Sequence, residues 1–227
     1  VSLLVAAGGD VNAANANNMS VLHLAASHGH DWAVPILHSG SANYNARTKE
    51  GQTALHLAVI RAKKGVIVQL RRLYDINIEQ TDATQSTALH LGVINRHSKI
   101  VEYLINEANC NLFARNISNK TAYVLAKDFG RGDPCVNILA KALMPHGKMI
   151  YESSKAGNSQ DVERLLLLES CPDIYKDSKG YTALIAASEK GHVNVLTPLI
   201  AAGANVNEKD SSDMSAFQRS CENRHID

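Results

Sequence analysis

Histidine and cysteine are the side chains here that could hold a metal or attack a substrate, so their spacing comes first. His28 and His30 flank Gly29, while His23, His56 and His90 recur at an interval of roughly 33 residues. A zinc site needs three or four ligands converging on one point. Neither set converges without further ligands, so no metal is expected. Cys135, with Asp133 and His146 as orienting acid and base, has the composition of a thiol nucleophile. Such residues scattered about one helix end are expected to be incidental. Cys110, Cys135, Cys171 and Cys221 form no CxxC pair and are too few and scattered for a disulfide framework, which predicts free thiols in a reducing compartment. No GxxxxGK[ST] loop, GxGxxG fingerprint or HExxH pair occurs. These residues predict no enzyme, no cofactor and no small-molecule substrate.

Charge narrows the partners further. The 227 residues carry 23 Lys plus Arg against 22 Asp plus Glu, a formal net charge of +1, so no overall field attracts a phosphate backbone or an anionic membrane. A nucleic-acid partner is therefore not expected. Arg61, Lys63, Lys64, Arg71 and Arg72 form the one local basic concentration; they read as a solvated edge, or alternatively as a site for an acidic segment or a phosphoinositide headgroup. Near the start, the apolar stretch Ser2 to Ala7 is far too short to span a bilayer, and no basic leader precedes it.

The elements that carry these side chains show in an internal period. "SVLHLAASHGH" from Ser20, "TALHLAVIRA" from Thr53, "TALHLGVINRH" from Thr87 and "TAYVLAKDFG" from Thr121 follow one another at an even interval of roughly 33 residues. The same interval separates "TALIAASEKGH" from Thr182 and "SAFQRSCENRH" from Ser215. Each Ser or Thr stands where a hydroxyl can cap a short helix. Small residues follow, and Gly29, Gly130 and Gly191 stand where a helix stops. Second helices carry apolar stripes, as in Ile100, Val101, Leu104 and Ile105, or Val193, Val195, Leu196, Leu199 and Ile200. Between repeats lie "GGDVNAAN" (8–15), "SANYNART" (41–48), "DINIEQTD" (75–82) and "GANVNEKD" (203–210).

This period, with its T-x-L-H string and D-V-N-A-like loops, resembles the ankyrin repeat over essentially the whole chain. The resemblance implies an all-α solenoid of stacked helix-turn-helix units with short β-hairpin fingers, whose stability sums repeat and nearest-neighbour contributions. It also implies that His23, His56 and His90 bond back to the cap and the neighbouring loop, a structural role.

The pattern breaks between Thr121 and Thr182. After Thr121 the next frame begins short of a full period, near Lys148, and Met144-Pro145-His146-Gly147 stands where a finger belongs. We therefore divide the chain into repeats over 1–143 (a partial first repeat plus four, the last degenerate), a finger-less junction at 144–147, and further repeats over 148–227 (two plus a truncated third). The irregular stretch covers about 141–150 and is expected to change the curvature. Either a finger is deleted within one continuous stack, or the segment joins two sub-arrays. Val1 falls inside a second helix, since "SLLVAAGGDVNA" matches "TPLIAAGANVNE" (197–208), and Asp227 falls just after a first helix; the parent protein is expected to continue both ways.

The family resemblance further implies a protein partner docked on a concave surface of fingertips and inner helices. Onto that surface fall Met19, His28, Lys49, Glu50, Gln52, Ile60, Arg61, Thr84, Ile94, Asn95, Ile117, Lys120, Tyr181 and Lys190. Met19, Ile60, Ile94, Ile117 and Tyr181 are apolar where solvent is expected, which marks them as anchors. Trp32 is expected to pack at a turn. Asn12 and Asn207 close D/N-V-N fingers, where eukaryotic ankyrin proteins are hydroxylated by an oxygen-dependent asparaginyl hydroxylase. The expected function is a protein-binding scaffold segment; the alternative is a regulatory or mechanical array of a larger channel, toxin, pathogen effector or enzyme. The expected compartment is the cytoplasm, with the nucleus or secretion as a toxin or effector as alternatives.

Overall fold

A computed structural model describes residues 1–72, 76–130, 132–168 and 171–225. Asp75 of the third loop and Asp227 lie outside them. The helices are α1 (Ser2–Ala6), α2 (Val21–His28), α3 (Ala33–Ser39), α4 (Ala54–Ile60), α5 (Lys64–Arg71), α6 (Ala88–Ile94), α7 (Ser98–Asn106), α8 (Ala122–Lys127), α9 (Pro134–Lys155), α10 (Ser159–Leu168), α11 (Ala183–Lys190), α12 (Val193–Ala201) and α13 (Ala216–Glu222). The fingers form no named strand among the described residues. They are reduced to single antiparallel bridges, Ala14 to Ser20, Thr81 to Thr87 and Lys209 to Ser215.

Apart from α9, these helices are too short to hold themselves in water, so packing must supply their stability. In the unit spanning Val1–Ile138, α2, α4, α6 and α8 stack as inner helices, and α3, α5 and α7 pack behind α2, α4 and α6. Small residues allow the close approach: Ala26, Ala58 and Ala126 are fully buried, and a Cβ on Gly92 would meet Val101 at 3.2 Å. Leu22, Leu55 and Leu89 recur as buried core residues one repeat apart.

The unit spanning Leu139–Asp227 repeats the scheme with α11 against α13, α10 against α12, and α12 behind α11. Its core includes Ile150, Tyr151, Val162, Leu165, Leu184, Ile185, Val195 and Leu199.

Backbone handedness records the register independently of side chains. Gly29, Ala62, Arg96, Gly130, Gly157, Gly191 and Arg224 all have positive φ and follow the inner helices, one per repeat. Their spacing is even except between Gly130 and Gly157, where it falls short of a full period. A second series lies in the fingers at Asn18, Gly51, Gln85, Asn119, Gly180 and Asp213. Between Asn119 and Gly180 that series passes over the short interval and one ordinary repeat together, so among the described residues one left-handed finger position is missing there.

At that place residues 144–147 lie inside α9, a 22-residue helix with Pro145 in its interior. Asp133 Oδ1 accepts the Cys135 N–H at 2.8 Å ahead of Pro134, the arrangement expected of an N-cap followed by proline. The division between the two units falls within this helix, after Ile138.

Candidate functional site

The face that the repeats present begins at the helix caps. The backbone N–H groups of Ser20, Thr53 and Thr87 donate to Nδ1 of His23, His56 and His90 at 3.1, 3.0 and 3.2 Å. Because a backbone N–H can only donate, each Nδ1 is an acceptor and each ring proton sits on Nε2. Nε2 then donates to the following finger: His23 to the Ala46 and Gln52 carbonyls at 3.1 and 3.2 Å, His56 to Gln80 at 3.0 Å, His90 to Lys120 at 3.1 Å. One neutral imidazole thus straps each of these three fingers to the helix before it. Burial lowers all three pKa values, favouring that neutral form.

Within a finger, a side-chain oxygen two residues before the tip closes the turn. Asn15 Oδ1 accepts the N–H groups of Asn17 and Met19; Asp82 Oδ1 accepts those of Thr84 and Ser86; Asn116 Oδ1 accepts those of Ser118 and Lys120. Asp177 and Asp210 do the same in the second unit. Successive fingers are then zipped tip to tip. Lys49 N–H donates to Asn17 C=O at 3.1 Å, Ala83 to Glu50 at 3.0 Å, and Ile117 to Thr84 at 2.9 Å. Lys49, Glu50, Thr84 and Ile117, expected on the binding face, therefore sit on one continuous hydrogen-bonded edge in the first unit.

On and beside this edge, Lys49, Glu50, Thr84 and Ile117 are exposed, as are His28, Arg61 and Ile94 at inner-helix ends. Ile117 is 66% exposed, Ile94 46%, and Leu24 of α2 adds 40%, large apolar side chains left in solvent. Met19, Gln52, Ile60, Asn95 and Lys120 are half-buried. Lys120 is drawn off to Asp128 at 2.8 Å. In the second unit Lys190 is exposed, but Tyr181 corrects the expectation. It is buried beneath Lys179 and Arg219, its hydroxyl donating to Glu189 at 3.1 Å. Tyrosine at that position is long enough to be covered by the charged stems around it, which its position in the repeat did not reveal. Trp32 also departs from expectation: it is 56% exposed and sits beside His30, whose ring stacks with His28.

Asn12 and Asn207 are both exposed. Asn12 is held from both sides, its Oδ1 accepting Asn43 N–H at 2.7 Å and its Nδ2 donating to Ser41 C=O at 3.1 Å.

Cys135, considered as a nucleophile, stands in surroundings that favour the protonated thiol. Burial and the adjacent Asp133 push the Cys135 thiol up to about 11, the reverse of a nucleophile's activation. Burial raises the Asp133 carboxyl too, but the Cys135 amide and the Arg96 guanidinium outweigh it and hold Asp133 low. Burial and Glu79 push Cys110 up to about 12. Among the described residues no group of three or more His, Cys, Asp or Glu could hold a metal, and no helix is long and apolar enough to cross a membrane.

The second unit shows what residue types alone conceal. Position by position, His23, His56 and His90 correspond to Tyr151, Ile185 and Gln218. Tyr151 takes over the strap: its hydroxyl donates to Asp177 Oδ2 of the next finger at 2.7 Å. Gln218 takes over the cap, its Oε1 accepting Ser215 N–H at 2.9 Å.

The chain belongs to the ankyrin-repeat family. Its sequence matches the profile for ankyrin repeats (3 copies) over residues 1–82 and 149–227, and the single ankyrin repeat over 84–117. It is similar to the Caenorhabditis elegans homolog of transient receptor potential cation channel subfamily A member 1, 26% identical over 96% of this chain and 15% of that protein. It also resembles the Drosophila melanogaster tyrosine-protein kinase Shark (27%, over 78% of this chain and 16% of the kinase) and the Sus scrofa NF-kappa-B inhibitor alpha (27%, 72% and 46%). The chain spans less than half the length of each. Ankyrin repeats are protein-interaction modules, and no catalytic family is indicated.

Proposed function

We propose that this chain is a protein-binding segment that receives its partner on the fingertips and inner-helix ends of the first unit. The single observation that supports this most is the solvent exposure of Ile94 and Ile117 beside a finger edge already fixed by backbone hydrogen bonds. Large apolar side chains held out on a rigid edge form the kind of anchor that a partner desolvates. Lys49, Glu50 and Arg61 beside them supply charges for choosing a partner rather than for gross affinity. The similar channel, kinase and inhibitor differ in kind, which favours a shared docking module over a shared chemistry. We place the protein in the cytoplasm, a reading supported by Cys110, Cys135 and Cys221, which stand as thiols.

A photo-crosslinking residue introduced at Ile94 or Ile117 should capture a partner, whereas the same residue at exposed Glu102 on α7 should not. Equal capture from both surfaces would reject the proposed face. Charge reversal at Lys49 and Arg61 together should weaken the captured complex without altering the melting temperature.

A further inference from the structure

We propose that the fingers of the first unit are an acid-releasable clasp, opened when His23, His56 and His90 take up a proton, and that the fingers of the second unit are not. This rests on the proposed binding face only for its consequence, since releasing the fingers would disassemble the edge that carries Lys49, Glu50, Thr84 and Ile117.

The geometry requires a neutral ring at each strap. Nδ1 of all three histidines receives a backbone N–H from the cap. A second proton on the ring would have to sit on Nδ1, placing two donors head to head about 3 Å apart. The ring must then turn or leave, and turning it removes Nε2–H from the finger carbonyl.

The surroundings do little to rescue the charged form. Around His23 the bonded groups are the backbones of Ser20, Ala46 and Gln52 and the Ser20 hydroxyl. His56 feels Asp82, which favours the cation, and Arg47, which opposes it; His90 feels Asp82 and Glu79 beside the Ala114 and Lys120 carbonyls. Burial outweighs these carboxylates in both, so the neutral form prevails. The Ser20, Thr53 and Thr87 hydroxyls could accept from a protonated Nδ1 at 3.0, 3.2 and 2.9 Å, but the cap N–H would still lose its acceptor.

The second unit holds its fingers by groups that do not titrate in this range. Tyr151 donates to Asp177, whose carboxyl is raised by burial but held lower overall by the Tyr151 hydroxyl and the Tyr181 and Lys179 amides. The next finger has Ile185 where a strap would stand, and Arg219 Nε holds it instead, donating to Asp210 Oδ2 at 2.7 Å. Burial raises the Asp210 carboxyl, but Arg219 and the Met214 and Ser212 amides hold it low overall. Gln218, which caps α13, has no proton to gain. His146 also carries a lowered pKa through burial, yet its Nε2 faces Leu165 C=O of α10 rather than a finger.

Hydrogen exchange by mass spectrometry on the whole chain, at about pH 7.4 and about pH 5 with intrinsic rates corrected, tests this. Protection at Lys49, Ala83 and Ile117 should fall by up to about thirtyfold per histidine, since about pH 5 lies roughly 1.5 pH units below the ordinary imidazole value. Protection at Ser211, the tip bond of the second unit, should change by less than about twofold. The combined variant His23→Gln, His56→Gln and His90→Gln copies the cap bond that Gln218 already makes, and its finger protection should no longer depend on pH. If that variant fails to fold, His23→Gln alone should remove the response at Lys49, whose acceptor Asn17 lies in the finger ahead of His23, while leaving it at Ile117, whose two fingers are strapped by His56 and His90. Unchanged protection in the first unit at the lower pH, or an undiminished response in the glutamine variants, would overturn the clasp. The readout needs no partner, so it stands or falls separately from the binding face; crosslinking through Ile117 that survives at the lower pH would remove only the link between them.

Discussion

Ala62 and Arg96 occupy a left-handed conformation that Gly29 and Gly191 accept freely, at φ of 54° and 56°. A Cβ in that region costs about 1–2 kcal/mol, partly offset in a glycine variant by its looser unfolded chain. Ala62→Gly is therefore expected to stabilise the chain by about 1 kcal/mol, read as a higher midpoint in urea. Leu89 is a different case, buried between inner and outer helices with 1% of its surface exposed. Leu89→Ala should cost about 2–5 kcal/mol through the cavity it leaves, whereas the exposed Ser118→Ala should lie within about 0.5 kcal/mol of the parent. Tyr151→Phe removes a hydrogen bond to a charged acceptor and should cost about 1.5–3 kcal/mol, measurable in the same unfolding series.

Among the elements, α9 is where local preference and observed structure disagree most. Pro145 cannot donate a helical hydrogen bond, and an interior proline costs about 3 kcal/mol. The helix nevertheless continues through it and Gly147, with Leu139, Leu143 and Ile150 buried along its length. Pro145→Ala should raise the melting temperature, corresponding to about 1–3 kcal/mol, and calorimetry would show it; a lower melting temperature would mean that the proline is favoured by its surroundings. At the start of α9, Asp133→Ala removes the cap of Cys135 N–H and should cost about 1–2 kcal/mol. The ion pair with Arg96 adds little to that figure, because the guanidinium side is 61% exposed.

For the molecule as a whole, four buried histidines set a direction with pH. His23, His56, His90 and His146 each titrate below the ordinary value because of burial. The unfolded chain therefore binds more protons than the folded one once the pH falls below about 6.5, so the stability present above that pH declines through the window down to the folded values. Asp133, Asp177 and Asp210 titrate low and extend the loss to more acid conditions. Urea midpoints should be level above neutrality and decline steadily below about pH 6.5. A midpoint that stayed constant down to about pH 5 would contradict the neutral assignment of the straps.

Much of this was legible before any coordinates. The recurring Ser or Thr cap, the leucine two positions on and the even interval between copies identified the repeat, because each repeat must bury the same apolar face against a like neighbour. Those local demands leave their mark on every copy. Exposure of the variable positions was not legible in the same way: Tyr181 and Ile94 both read as apolar anchors, yet one is covered by Lys179 and Arg219 and the other stands in solvent. Nor could the continuation of α9 through Pro145 be read from residue preference, which argues for a break there. Side-chain cover and helix continuity depend on what neighbouring repeats place within a few ångströms, and only the folded chain brings those neighbours together.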